Sequence, residues 1–176
     1  MNTLKIEFKK ISKEKHISEI YFNVNDDNIC QFKFNNETTF KTTRWNLDEL
    51  VQYFKELPVL LKNDAPFPCD VEGKCAAELD NNARDYDFNT EEEFEDYYTR
   101  LNKWGYAHSW HHANSGAILA DVFFRRLGDN VEISWWSDQE DEEIVFKNKY
   151  GFALISYVEF VSTINESIAS YNDIWL

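Results

Sequence analysis

Residues 121–136 read DVFFRRLGDNVEISWW, and how this stretch folds decides the rest. Asp121–Leu127 and Asn130–Trp136 lie on either side of Gly128-Asp129. That pair suits the centre of a II′ turn, because glycine takes the positive φ required at the first of the two positions. The turn predicts a hairpin in which Leu127 faces Asn130 and Arg125 faces Glu132. Val122, Phe124, Val131, Ile133 and Trp135 then share a core face, interrupted only by Arg126 at its end. The opposite side is mixed: Asp121, Phe123, Arg125, Glu132, Ser134 and Trp136. Two readings of that side stay open. One is an ordinary sheet surface half covered by a helix, with a solvated Arg125–Glu132 pair worth roughly some tenths of a kcal/mol. The other is a recognition patch, since Trp, Tyr and Arg join large contact area to directional polar groups.

Working outward, the first 43 residues read as further strands. Leu4, Ile6 and Phe8 alternate with charged residues, as do Ile20, Phe22 and Val24 with polar ones, and Cys30, Phe32 and Phe34 continue the pattern. The Asn- and Asp-rich segments NVNDDN and FNNET between them predict tight turns, so the simplest topology is an antiparallel meander, with Phe40 and Thr42 available to extend it. The period then changes to that of a helix. Leu47, Leu50, Val51, Phe54 and Leu57 share one face, Asn46 with Glu49 forms a capping box, and Pro58 is expected to end or kink the run. Residues 62–75, KNDAPFPCDVEGKC, predict an ordered surface loop anchored by Phe67, with a weaker helix across 76–86. Thr90 with Glu93 opens a second strong helix whose apolar face is Phe94, Tyr97, Tyr98, Leu101 and Trp104. Ser156 with Glu159 opens a last one along Tyr157, Phe160, Val161, Ile164, Ile168 and Tyr171. The expected fold class is α+β: an antiparallel sheet, made of the N-terminal meander plus the hairpin near 121–136, covered by three or more helices. Residues 1–176 are expected to form a single domain.

Composition bounds the function. Hydrophobic residues make up 43% of the chain and aromatics 16%, which argues against disorder. The opening MNTLKIEFKK lacks the apolar run of a secretory signal and no later run is long enough to cross a bilayer, so the expectation is a cytoplasmic protein without a membrane partner. Cys30, Cys69 and Cys75 are odd in number and widely spread, which favours reduced thiols over a Cys69–Cys75 bridge. The formal net charge is −14 and it is unevenly placed: residues 1–62 carry 10 Lys and Arg against 9 acids, the remaining 114 carry 8 against 23. Such a chain is repelled by phosphate backbones, which disfavours nucleic acid as a partner and favours a basic protein.

Catalytic signals are weak. His108, His111 and His112 can place two imidazoles on one helical turn, with Cys69 or Cys75 to complete a metal site, but neither a paired CxxC nor HExxH is present. A hydrogen bond from His108 into the neighbouring loop is the plainer reading. Ser115-Gly116 lies near these histidines without a GxSxG, and neither GxGxxG nor GxxxxGK[ST] occurs among the five glycines. No catalytic residue, metal or cofactor is therefore assigned. A small metal-dependent hydrolase using the 108–112 cluster, and an adaptor for some other basic protein, remain as alternatives. Two acidic blocks stand out instead. Glu91, Glu92, Glu93, Glu95 and Asp96 crowd the first turns of the helix after Thr90, where the helix dipole explains some of them. Asp138, Glu140, Asp141, Glu142 and Glu143 follow the hairpin directly. Beside Trp135 and Trp136 they suit the acidic rim of a protein-binding surface, or simply a solvated loop.

The tryptophan-led helix Trp45 to Leu57, the PFP loop at 66–68, the HS pair at 108–109 and the G-x4-DVFFRRLGDNVEISW block of 116–135 together resemble bacterial immunity proteins of polymorphic and contact-dependent toxin systems. The resemblance runs loosely over 45–160. It implies a stoichiometric inhibitor that performs no reaction and binds the C-terminal domain of a cognate toxin, with a nuclease the leading class. The expected contact residues are Glu91, Glu92, Glu95, Asp96, Phe123, Arg125, Glu132, Trp136, Asp138, Glu140, Asp141, Glu142 and Glu143.

Overall fold

The computed structural model describes residues 2–137 and 143–176. The alternation near the N-terminus folds as expected. Strands β1 (Leu4–Ser12) and β2 (Ile17–Val24) pair antiparallel with Ile6 opposite Phe22 and Phe8 opposite Ile20. Leu4, Ile6, Phe8, Ile20, Phe22 and Val24 are buried, while Ile11 near the end of β1 is exposed. A short β3 (Asp27–Asn28) returns along β2 through Asn25-Asp26, whose φ values of 52° and 67° are those of a two-residue I′ loop. Asn and Asp are the side chains that tolerate this left-handed backbone best.

The meander stops there, which corrects the expectation of one continuous sheet. The Asn28 side chain accepts from the Cys30 backbone N–H and turns the chain away. Strand β4 (Gln31–Phe34) then joins β5 (Lys41–Thr42) on one side and the later segment Ile144–Phe146 on the other, in a second sheet. A short β6 (Arg44–Trp45) comes back to β2, where Arg44 Nε donates to the buried Glu19 carboxylate at 2.6 Å.

Helix α1 (Asp48–Leu60) begins two residues after Asn46 and buries Leu50, Val51, Tyr53, Phe54 and Leu57. Asn46 serves as an Asx turn, accepting from Asp48 N–H, and the expected reciprocal capping box is not formed. Pro58 lies inside the last turn and the helix runs on to Leu60. One missing N–H is tolerated so close to the end, where the Pro58 carbonyl accepts from Tyr157 Oη. Helices α2 (Ala76–Arg84) and α3 (Glu91–His108) follow, then a 3-10 turn at His111–Ala113.

The hairpin of β7 (Val122–Leu127) and β8 (Asn130–Trp136) has the register read from the sequence, with Leu127 opposite Asn130, Arg125 opposite Glu132, and Gly128 at φ +57°. Val122, Phe124, Val131, Ile133 and Trp135 are buried together. The strand Ile144–Phe146 is β9, and β10 (Tyr150–Ser156) pairs along the other edge of β8, with Gly151 opposite Trp135. The chain closes on α4 (Tyr157–Trp175), whose N-cap Ser156 accepts from Glu159 N–H. Helix α4 lies against β1, β10 and α1. Trp110 is at the centre of the core, fully buried, with Phe22 at 5.0 Å and Phe124 at 5.8 Å between ring centroids, and its indole N–H donates to Ala120 O at 2.7 Å. Burying an indole is affordable because its one polar group has a partner. Among the described residues no helix is long and apolar enough to cross a membrane.

Candidate functional site

The mixed side of the hairpin is occupied by the protein itself. Helix α2 sits on it, and the polar side chains there complete the helix end. Residue 75, at the N-cap, is a cysteine that offers no side-chain acceptor. The sheet supplies what it lacks: Glu132 Oε1 accepts from Ala76 N–H at 2.6 Å and Ser134 Oγ accepts from Ala77 N–H at 3.1 Å. A carboxylate at this end also meets the positive pole of the helix. The second Glu132 oxygen accepts from Arg125 Nη2 at 2.7 Å, and only 2% of the Glu132 side chain and 14% of the Arg125 side chain are exposed. Phe123 packs with Trp104, Cys75, Ala76 and Ala77 in the same layer. Three expected contact residues, Phe123, Arg125 and Glu132, are thus corrected to structural roles beneath α2. Their polarity is the signature of a helix docked on a sheet, and the pair is buried where a solvated one was expected. Trp136 is half-buried, 5.7 Å from the ring of exposed Tyr150.

The three histidines part company. His108 is buried, stacked on Trp104 at 4.3 Å, and Nδ1–H donates to the Trp104 carbonyl one turn back in its own helix rather than to the loop. Burial, with a smaller push from the Arg125 charge, holds its imidazole below the ordinary range and so uncharged. His111 is exposed and Nδ1–H donates to Asp121 Oδ1 at 2.9 Å. His112 stacks on Tyr106 at 3.8 Å, and burial lowers its pKa too. Among the described residues no group of three or more His, Cys, Asp or Glu is placed to hold a metal ion. The three cysteines are free, and burial pushes the Cys30 thiol up to about 12.

The other acidic block gathers into a surface. Thr90 Oγ1 accepts from Glu93 N–H at 3.2 Å and Glu93 accepts in return from Asn89 N–H, so the cap is built as its sequence pattern implies, shifted by one residue on the return bond. Glu91, Glu92, Glu93, Glu95 and Asp96 are all exposed. Asp85 and Asp87, in the link from α2, add to them, which makes seven acids and no base between residues 85 and 96.

Aromatic rings stand among these charges. Phe94 is 47% exposed and Tyr86 52%, with Phe88 and Tyr98 half-buried between them. Their centroids lie 5.3 Å apart for Phe88–Phe94, 4.6 Å for Phe94–Tyr98 and 5.0 Å for Tyr86–Phe88. Phe94 is therefore not part of the core that its helical spacing suggested: Leu101 packs with Ala83, Tyr97 and the loop residues Phe67 and Val71, and Trp104 with Phe123, Cys75 and Ala76, while Phe94 stays exposed. The cluster is held from below. Tyr97 Oη and Tyr98 Oη donate to the carbonyls of Ala83 and Arg84 at the C-terminal end of α2, and Arg100 bridges Asp96 to the Pro68 carbonyl of the loop. A groove of about 470 Å³ opens beside it, walled by Asp70, Tyr86, Phe88, Glu93 and Tyr97. Tyr86 and Phe88 were missed in the sequence because they lie in a link without periodicity. The signal available was the alternation of acid and ring in 85-DYDF-88.

Residues 33–171 match a family of unknown function, DUF5984. The chain belongs to this family. No curated protein and no solved structure matches it. The matched region starts within β4 and ends in α4, so it takes in the hairpin, α2 and the whole acidic and aromatic surface, while β1 to β3 lie outside it. Of the second acidic block, Glu143 is exposed, with its carbonyl accepting from Asn35 N–H; Asp138, Glu140, Asp141 and Glu142 lie outside the described residues.

Proposed function

We propose that this chain is an immunity protein that neutralises the C-terminal domain of a cognate bacterial toxin by stoichiometric binding in the cytoplasm, without catalysis of its own. The observation that carries the reading is the surface of residues 85–98, where seven carboxylates surround the rings of Tyr86, Phe88, Phe94 and Tyr98 on a fixed helical base. Exposed like charges draw a basic partner in from a distance and raise its association rate, while rings with few rotamers supply contact area that slows its release. A nuclease presents a suitable basic groove, and a rigid row of carboxylates competes there with the phosphate backbone of its substrate. The contact set proposed is Glu91, Glu92, Glu95 and Asp96 together with those four rings. Trp136 beside exposed Tyr150, and separately exposed Glu143, are further accessible positions.

Co-expression with a cognate toxin domain tests the reading. The expected result is a one-to-one complex that abolishes toxicity, and Tyr86→Ala with Phe94→Ala weakens it through faster dissociation. Absence of a complex with the wild-type chain would contradict the function, and full affinity in the double variant would contradict the surface.

A further inference from the structure

Strand β10 is the outer strand of the sheet β10–β8–β7, and among the described residues no other strand pairs with it. Its bonds to β8 decide which backbone groups are left over. The antiparallel alternation is fixed at both ends, where Ser137 N–H donates to the Lys149 carbonyl and Tyr157 N–H to the Asp129 carbonyl. Gly151, Ala153 and Ile155 therefore exchange bonds with β8, and Tyr150, Phe152 and Leu154 direct their N–H and C=O groups to the open side. Asn2 Nδ2 donates to the Leu154 carbonyl there at 3.3 Å, and that oxygen keeps a second lone pair.

The same three residues carry exposed side chains. Tyr150 is 65% exposed, Phe152 52% and Leu154 41%, on the face that β8 continues with Trp136, Ser134 and Glu132. Helix α2 is bonded to Ser134 and Glu132 and leaves β10 uncovered. Open sheet edges are ordinarily guarded by charge, and β1 follows that rule with Lys5, Glu7, Lys9 and Lys10. The sequence of β10, YGFALIS, contains no charged residue. An uncharged apolar strand with a row of outward amides and carbonyls is a template for another strand.

We propose that β10 pairs antiparallel with β10 of a second copy of this chain, about a two-fold axis at Ala153, which joins the two three-stranded sheets into one. The strand is self-complementary in this sense. Phe152 of each copy falls opposite Leu154 of the other, so outward N–H and C=O groups meet and the apolar side chains share a face. The charges at the two ends favour the same occupant. Exposed Lys147 and Lys149 precede β10, while Asp129 and Glu159 stand at its far end, where Arg126 is held over the Tyr157 ring. Antiparallel pairing brings the lysine end of each copy beside the acidic end of the other, and nothing charged is caught between them. The proposal does not rest on the toxin-binding reading, whose contact residues 85–98 take no part in the seam.

Sedimentation velocity of the full chain over a dilution series tests it, beside Phe152→Lys combined with Leu154→Lys. Both of these side chains are exposed and their backbone groups point away from β8, so the substitutions leave the ladder within the chain in place. The wild-type chain is expected to sediment as a dimer that dissociates on dilution, and the variant as a monomer throughout. Hydrogen exchange on the wild-type chain gives a readout independent of the variant's folding: the amides of Tyr150, Phe152 and Leu154 are expected to be protected in the dimer and to lose that protection on dilution. A wild-type chain that is monomeric at every concentration overturns the proposal. So does a dimer that survives both lysine substitutions, or one in which those three amides exchange as fast as in the dilute chain.

Discussion

Glu132 shows how one residue ties two layers together. Its carboxylate closes the N-terminus of α2 and neutralises Arg125 in nearly complete burial. Removing one partner of such a pair leaves the other charge unsatisfied, so Glu132→Ala is expected to cost about 3–5 kcal/mol in chemical denaturation. Arg125→Leu with Glu132→Gln, which keeps an acceptor for Ala76 N–H and removes both charges, should recover much of the loss. A single variant of near wild-type stability would contradict the capping role. His108 carries the pH dependence. Its folded pKa is lowered by burial, so as pH falls through the ordinary imidazole value of about 6.5 the unfolded chain takes up the proton first. Stability is complete above that value and is lost below it. His108→Phe keeps the stack on Trp104 and is expected to flatten part of the decline below about pH 6.5. His112, lowered in the same sense, acts in the same direction. Equal slopes in both proteins would count against this. The pairing of Arg125 with Glu132 was legible in the sequence, yet its burial was not, because nothing local to β7 and β8 announces that a helix some fifty residues earlier will settle on them.

At the level of elements, the patterns that are local were readable and the pairings that depend on distant chain were not. The hairpin register follows from the Gly128-Asp129 turn, and the Thr90 and Ser156 caps follow from residues three apart. Ser156→Ala is expected to cost about 1 kcal/mol in thermal or urea unfolding, a loss confined to the start of α4. Strands β9 and β10 were hidden behind the acidic run 138–143. Tyr150, Phe152 and Leu154 face solvent opposite buried Ala153 and Ile155, so the segment looks apolar on both sides and shows no clean alternation. Gly151 is the element's constraint, since a Cβ there would run into the indole of Trp135 on the neighbouring strand. Gly151→Ala should destabilise by about 1–3 kcal/mol as an overpacked core site, measurable as a lower urea midpoint. An unchanged midpoint would mean the indole swings aside at no cost. The N-terminal meander broke at Asn28 for a similar reason: the partner that draws β4 away, β9, lies more than a hundred residues on.

Across the whole molecule the charge is segregated. The N-terminal strands are close to neutral, while the later part concentrates its acids, seven of them between residues 85 and 96, around exposed rings. The acidity was legible from composition alone. The identity of the rings was not, since helical spacing alone sent Phe94 to the core and the link residues Tyr86 and Phe88 carry no period. Long-range attraction by such a surface depends on salt, because the Debye length shortens from about 30 Å at 0.01 M to about 3 Å at 1 M. The most direct measurement is the association rate with the cognate toxin domain, by stopped flow across that range of salt. It should be made for the wild-type chain and for Glu91→Gln, Glu92→Gln, Glu95→Gln, Asp96→Asn combined. The wild-type rate is expected to fall by about tenfold or more as salt rises, with the variant starting slower and falling less. A rate indifferent to salt, or identical in the two proteins, would contradict the claim that these carboxylates bring the partner in.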